Sequence, residues 1–280
     1  MSERHTLAGK TVFVTGASRG IGLAIAKRAA ADGANVVLLG KTTEPHPKLP
    51  GTLHTAAQEV EAAGGRALAV PTDIRDEAAV SAAVAKAVER FGGIDVLVNN
   101  ASAIHPTPTP ATPMKRFDLM FDVNVRGTYC CTQACLPELI RSAQAGRNPH
   151  VLNLSPPLSM QGRWFAPHVA YTMSKYGMSM CTLGHAEELR PHGIAVNSLW
   201  PRTAIATAAL QMIPGIDPQR CRKPEIMADA AHMVLTSDAR TTTGIFFIDD
   251  ALLAQHGVTD LDGYSVTPGT KDFIPDYFID

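Results

Sequence analysis

The sequence has no run of about eighteen apolar residues, which excludes a conventional membrane-spanning helix. It has little net charge, −1 over 280 residues, and no basic stripe, so nucleic acid is not an expected partner. Cysteine is scarce and odd in number: Cys130, Cys131, Cys135, Cys181 and Cys221, with no Cys-x-x-Cys pair. Such usage argues against a disulfide framework and fits reduced thiols in a cytoplasmic compartment best. The ten histidines form no His-Glu-x-x-His and no Cys/His cluster, so no metal site is expected. The first residues, MSERHTLAGK, contain no apolar stretch of signal-peptide length, and the final DYFID is not a peroxisomal address. There is no internal repeat and no low-complexity tract.

What remains is a chain with 45% hydrophobic residues, enough to bury one large core. Apolar runs at 11–15 (TVFVT), 35–39, 67–71, 95–98, 150–154, 195–199 and 245–248 read as strands. None alternates with polar residues, as expected of parallel strands covered on both faces. Helical segments are expected between them at about 21–32, 77–91, 114–142 and 168–190. The rhythm implies an α/β fold, a doubly wound parallel sheet flanked by helices. Residues 42–51 and 155–167 read as loops, and residues from 251 as a tail of little periodicity. One domain over residues 1–250 is expected, with 251–280 as an extension packed on it.

Residues 15–22, TGASRGIG, follow a strand and open a helix. Gly16 permits a tight turn, Gly20 allows a pyrophosphate to approach the helix N-terminus, and Gly22 allows close helix–strand packing, with Ser18 and Ile21 as donors. An ordinary glycine-rich turn has the same signature. Where NAD sites place a carboxylate after the second strand, this chain has Gly40 and Lys41, and Arg19 lies in the turn. Two cations without an anion favour NADP(H) over NAD(H). Residues 171–175, YTMSK, put Tyr171 and Lys175 on one helix face. An ammonium beside a phenol lowers its pKa and suits it to move a proton to or from a carbonyl oxygen, although this spacing alone recurs by chance.

TGASRGIG, Asp73 in TDIRD, NNAS at 99–102, Asn124 in NVRG and YTMSK, in this order, resemble the short-chain dehydrogenase/reductase family over residues 8–250. The resemblance implies a seven-stranded parallel sheet, Tyr171 as general acid/base, Lys175 on the nicotinamide ribose, and Asn124 holding a relay water. It also implies adenine contacts from Asp73 and Ile74, a cleft lined by Asn100 and Ala101, and Pro201, Thr203 and Ala204 beside the carboxamide. A homodimer or homotetramer through the 114–142 and 168–190 helices is implied too. The segments KTTEPHPKLPGTLHTAAQEVEAAGG, NLSPPL and WPRTAI are similar to one branch of the family, whose animal members add a sterol-carrier domain not expected here.

The chain departs from the pattern at several points. The family's usual Ser before the Tyr falls on Leu158 by one register and on Pro156, beside Ser155, by another. NNAG becomes NNAS, Pro-Gly becomes Pro201-Arg202, and Asp-Gly-Gly becomes IDDALL. Ser159 is read as the donor to the substrate oxygen and Ser155 as a support beside the nicotinamide, against the alternative that Ser155 only ties down the strand end and Ser159 is exposed loop. Trp164, with Met160, Phe165 and residues 208–214, is read as a lipophilic pocket, against the alternative of plain core packing. The expected activity is hydride transfer between NADP(H) and a small lipophilic alcohol or carbonyl compound, fatty, terpenoid or steroid-like. The alternative is a non-catalytic NADP-binding regulator of the same fold.

Overall fold

In a computed structural model, which describes residues 6–45, 50–210 and 215–279, the seven apolar runs are strands whose ends lie within one residue of those expected. They are β1 (Thr11–Thr15), β2 (Asn35–Gly40), β3 (Arg66–Pro71), β4 (Val96–Asn99), β5 (His150–Asn153), β6 (Ala195–Trp200) and β7 (Phe246–Ile248). All pairs are parallel, in the order β3-β2-β1-β4-β5-β6-β7. The chain therefore turns back between β1 and β4, and there a crevice opens at the carboxyl ends of the strands.

The helices are α1 (Gly20–Ala31), α2 (Leu53–Ala62), α3 (Glu77–Phe91), α4 (Met114–Met120), α5 (Gly127–Gln144), α6 (Val169–Leu189), α7 (Glu225–Leu235) and α8 (Asp249–Gln255). Successive strand residues serve two different cores. Val12, Val14, Val36, Leu38, Val96 and Val98 face α1, α2 and α7. Phe13, Val37, Leu39 and Leu97 face the core built with α3 and α5. That is why the strands are continuously apolar rather than alternating.

Three features differ from the sequence reading. The helix expected over 114–142 is broken: α4 and α5 are joined by a π-helical turn, Phe121–Arg126, which contains Asn124. After the 42–51 loop, α2 starts at a reciprocal cap in which Thr52 Oγ1 accepts from Thr55 N (3.1 Å) and Thr55 Oγ1 accepts from Thr52 N (2.8 Å). The tail is ordered by long-range contacts: α8 packs on α7, and Phe278 joins Met120, Tyr171, Tyr176 and Trp200 in a third core cluster over the sheet's carboxyl edge. Residues 46–49 of the proline-rich loop and 211–214 of the expected pocket segment lie outside the described residues. Among the described residues no helix is long and apolar enough to cross a membrane, no group of three or more metal-ligating side chains occurs, and all five cysteines are free thiols.

Candidate active site

The glycine turn is held from β4. Gly16 has φ +66°, and a Cβ there would lie 2.8 Å from Ala101 Cα. A Cβ on Gly22 would lie 2.5 Å from Asn100 Nδ2, which donates to the carbonyls of Thr15 and Gly16, both at 3.0 Å. Gly22 thus makes room for an amide that ties the turn to the neighbouring loop. Thr15 Oγ1 accepts from the N–H groups of Asn100 and Ala101, both at 3.0 Å. Arg19 stands at the start of α1 in extended conformation and its side chain makes no capping bond to the helix, which leaves the first N–H groups, with Gly20 at φ +58°, open to an anion.

The charges near the end of β2 are arranged otherwise than their sequence positions imply. Lys41 Nζ lies 3.5 Å from Asp73 Oδ2, so an anion does stand beside it, brought from the end of β3. Arg75 grips the same carboxylate through Nε (3.0 Å) and holds it well below the usual range. Arg19 donates to Gly51 O at 3.0 Å. Ile74 is buried, with its Cδ1 where a Cβ on Gly127 would stand.

Tyr171 and Lys175 lie one turn apart on α6, both buried. The Tyr171 ring lines a cavity of about 240 Å³, walled mainly by apolar groups such as Ile104, Ile205, Leu210 and Met227. Lys175 Nζ donates to Leu154 O at 2.7 Å and lies 5.0 Å from the Trp200 ring centroid. The expected lowering of the phenol pKa is absent from the protein alone. Burial pushes Tyr171 far up, and Asp276 and Tyr277 act in the same direction. Burial also pushes Lys175 down to about 7, opposed by Asp276. Asn124 is fully buried; its Oδ1 accepts from Ala103 N (2.8 Å) and its Nδ2 donates to Ala103 O (2.9 Å) and Ser174 Oγ (3.0 Å). Both amide hydrogens are therefore committed, one to the loop after β4 and the other to α6.

A family model for short chain dehydrogenase matches residues 10–213. Hydroxysteroid dehydrogenase-like protein 2 of Danio rerio is 57% identical over 275 residues, 98% of this chain and 65% of the relative. A short chain dehydrogenase of Mycobacterium thermoresistibile superimposes with a TM-score of 0.91 at 54% identity, over 98% of this chain and 96% of that one. The chain belongs to the short-chain dehydrogenase family. It spans between about half and just under two thirds of the length of the curated relatives it matches. Two neighbours, each 29% identical, were solved with cofactors. A metagenomic short-chain oxidoreductase is in complex with NADP (TM-score 0.70, covering 86% of this chain and 97% of that one). A short chain dehydrogenase from Mycobacterium paratuberculosis is bound to NAD (TM-score 0.72, 87% and 97%).

In this short-chain dehydrogenase neither expected serine lines the cavity. Ser155 is fully buried and shares a hydrogen bond of 2.8 Å with Ser198, which in turn meets Thr182 at 2.7 Å. This chain of hydroxyls continues through Asn153 to Asn99, so Ser155 belongs to a network that ties β4, β5 and β6 to α6. Ser159 sits in the loop, accepting from Gln161 N at 3.4 Å. Trp164 is half-buried and packs against Phe278 of the third core cluster, with ring centroids 6.0 Å apart, and it is not among the residues that line the cavity. Pro201 and Ala204 do line the cavity, and Thr203 Oγ1 is buried beside it with no hydrogen-bond partner among the described residues.

Two departures from the family pattern answer each other. Arg202 N donates to Asp249 Oδ1 (2.9 Å), and Arg202 Nε donates to Asp250 Oδ2 (2.7 Å). The exit of β6 is thereby clamped to the start of α8. On it lies the segment that sequence reasoning left without a role. Ala204 N donates to Ile274 O (2.8 Å), Asp276 N to Arg202 O (3.0 Å) and Trp200 Nε1 to Tyr277 O (2.8 Å). The one local signal for it was the aromatic density of Phe273, Tyr277 and Phe278.

Proposed function

We propose that this chain is an NADP(H)-dependent oxidoreductase acting on a small lipophilic alcohol or carbonyl compound. The observation that carries the reading is Tyr171: a buried phenol facing an apolar cavity at the same sheet edge as the glycine turn. The chain's residues suit a nicotinamide dinucleotide at three points. The uncapped start of α1 suits a pyrophosphate, Lys175 suits the ribose hydroxyls, and the orphaned Thr203 Oγ1 suits the carboxamide. When bound, the nicotinamide supplies or accepts the hydride.

Tyr171 moves the matching proton. Burial holds the phenol protonated, the form needed to donate to a carbonyl oxygen. The apolar wall excludes water and suits a fatty, terpenoid or steroid-like skeleton. For the extra phosphate of NADP, Arg19, Lys41 and Arg75 together outweigh the one carboxylate of Asp73. Self-association into a dimer or tetramer is part of this reading. Exposed Met173, Met180 and Leu183 on α6, with Tyr129 on α5, form its motive, and light scattering tests it. The functional test is a panel of apolar aldehydes, ketones and alcohols followed by NADPH absorbance. Turnover supports the reading; tight cofactor binding without turnover of any compound supports a regulator of the same fold instead.

A further inference from the structure

The side chains lining the cavity around Tyr171 are neutral with one exception among the described residues, Asp276. Its place is set by the fold. Its N–H is bonded to Arg202 O at 3.0 Å, Pro275 before it forms an antiparallel bridge with Thr203, and Oδ1 accepts from Tyr277 N at 2.7 Å. The carbonyl of Tyr277 binds Trp200 Nε1, and Lys175 Nζ lies over the ring of that same Trp200. The C-terminal segment that carries Asp276 and the active-site ammonium thus meet at one indole, the segment through the Tyr277 carbonyl and Lys175 over the ring face.

We infer that Asp276 is a positioning residue of this active site: from the C-terminal segment it keeps Lys175 in its charged form beside Tyr171. The inference rests on the proposed function for what that pair does. An ammonium in an apolar wall tends to lose its proton, and a nearby carboxylate is the simplest way to prevent this. Burial pushes Lys175 down to about 7 and Asp276 up to about 7, each opposed by the charge of the other. The neighbours leave Lys175 as the cation that acts on Asp276. Asp249 of α8 repels it, while the Arg202 guanidinium is bound to Asp250, the acid that Arg222 also faces at 3.7 Å. His168, whose ring meets those of Tyr171 and Tyr277, is biased towards neutrality by burial. Both of those phenols are pushed up by burial and by Asp276.

The test uses the full chain and NADPH binding followed by fluorescence across about pH 5 to 9, together with turnover of whichever carbonyl compound the panel identifies. Asp276→Asn removes the charge and keeps an acceptor for Tyr277 N–H. The alkaline midpoint at which NADPH affinity is lost should move down by about one pH unit or more, with turnover following. Asp276→Glu, which keeps the charge, should hold the wild-type midpoint. A purely structural role would weaken binding equally at every pH. Should Asp276→Asn fail to fold, Asp276→Ser, a smaller acceptor, replaces it. A wild-type midpoint in either neutral variant, folded by circular dichroism, overturns the inference while leaving the proposed function intact. A wild-type protein that binds neither NADPH nor NADH overturns both.

Discussion

Tyr171 and Lys175 are separable at the scale of single residues because they do different work. Tyr171→Phe keeps the ring that packs among His168, Tyr277 and Phe278 and removes only the hydroxyl. Turnover should fall by roughly a hundredfold or more with cofactor affinity nearly unchanged, read from steady-state kinetics and a binding titration. Lys175→Ala should damage both quantities; near-normal affinity in that variant would remove Lys175 from the cofactor site. The second prediction concerns Lys41, which is exposed and paired with Asp73 at 3.5 Å. NADPH should bind the wild type at least about tenfold more tightly than NADH, or about 1.4 kcal/mol. Lys41→Asp sets two carboxylates side by side and should reverse the order. Equal wild-type affinities for the two cofactors would sink the NADP preference.

The unit that matters at the scale of elements is β1, the glycine turn and α1 pressed against the loop after β4. Gly22 lies in the first turn of α1, and the Asn100 amide occupies the space a Cβ would need. Gly22→Ala must push out an amide that serves two backbone carbonyls, at a cost of about 1–3 kcal/mol. Thermal unfolding should register that loss, and cofactor affinity should fall with it; unchanged melting would mean the turn adapts freely. The π-helical turn at Phe121–Arg126 belongs to this scale as well. It interrupts the α-helical ladder where Asn124 must reach Ala103 and Ser174, and such turns gather at functional sites. No periodicity in residues 114–142 marks that break, since the side chain that rewards it bonds to residues far away in the chain.

Across the whole molecule, distant segments are locked by a buried acid at the amino edge of the sheet. Asp95 accepts from Thr11 N (2.8 Å), Ser142 Oγ (2.7 Å) and Arg147 Nε (2.6 Å). Burial alone would raise its pKa, but the bonds from Arg147, Ser142 and Thr11 outweigh that and lower it. A depressed folded pKa stabilises above the unfolded value of about 3.9 and loses that contribution as pH falls through the folded one. Arg147→Ala should therefore cost about 2–3 kcal/mol at neutral pH by urea denaturation, and the penalty should shrink as pH falls below about 4. A penalty independent of pH would mean that packing, not charge, links these segments.

The sequence by itself determined the strand order of events along the chain, the glycine turn and the Tyr171–Lys175 pair, because each is written within a few residues: continuous apolar runs, glycines between a strand and a helix, an i, i+4 spacing. The tertiary structure alone decided what surrounds them. It drew Ser155 into a buried hydroxyl chain, left Ser159 in the loop, set Asp73 beside Lys41 and carried Asp276 back to the cavity. Those outcomes depend on contacts between residues far apart in the chain, and no local pattern encodes which distant partner a charge or a hydroxyl meets when the sheet closes.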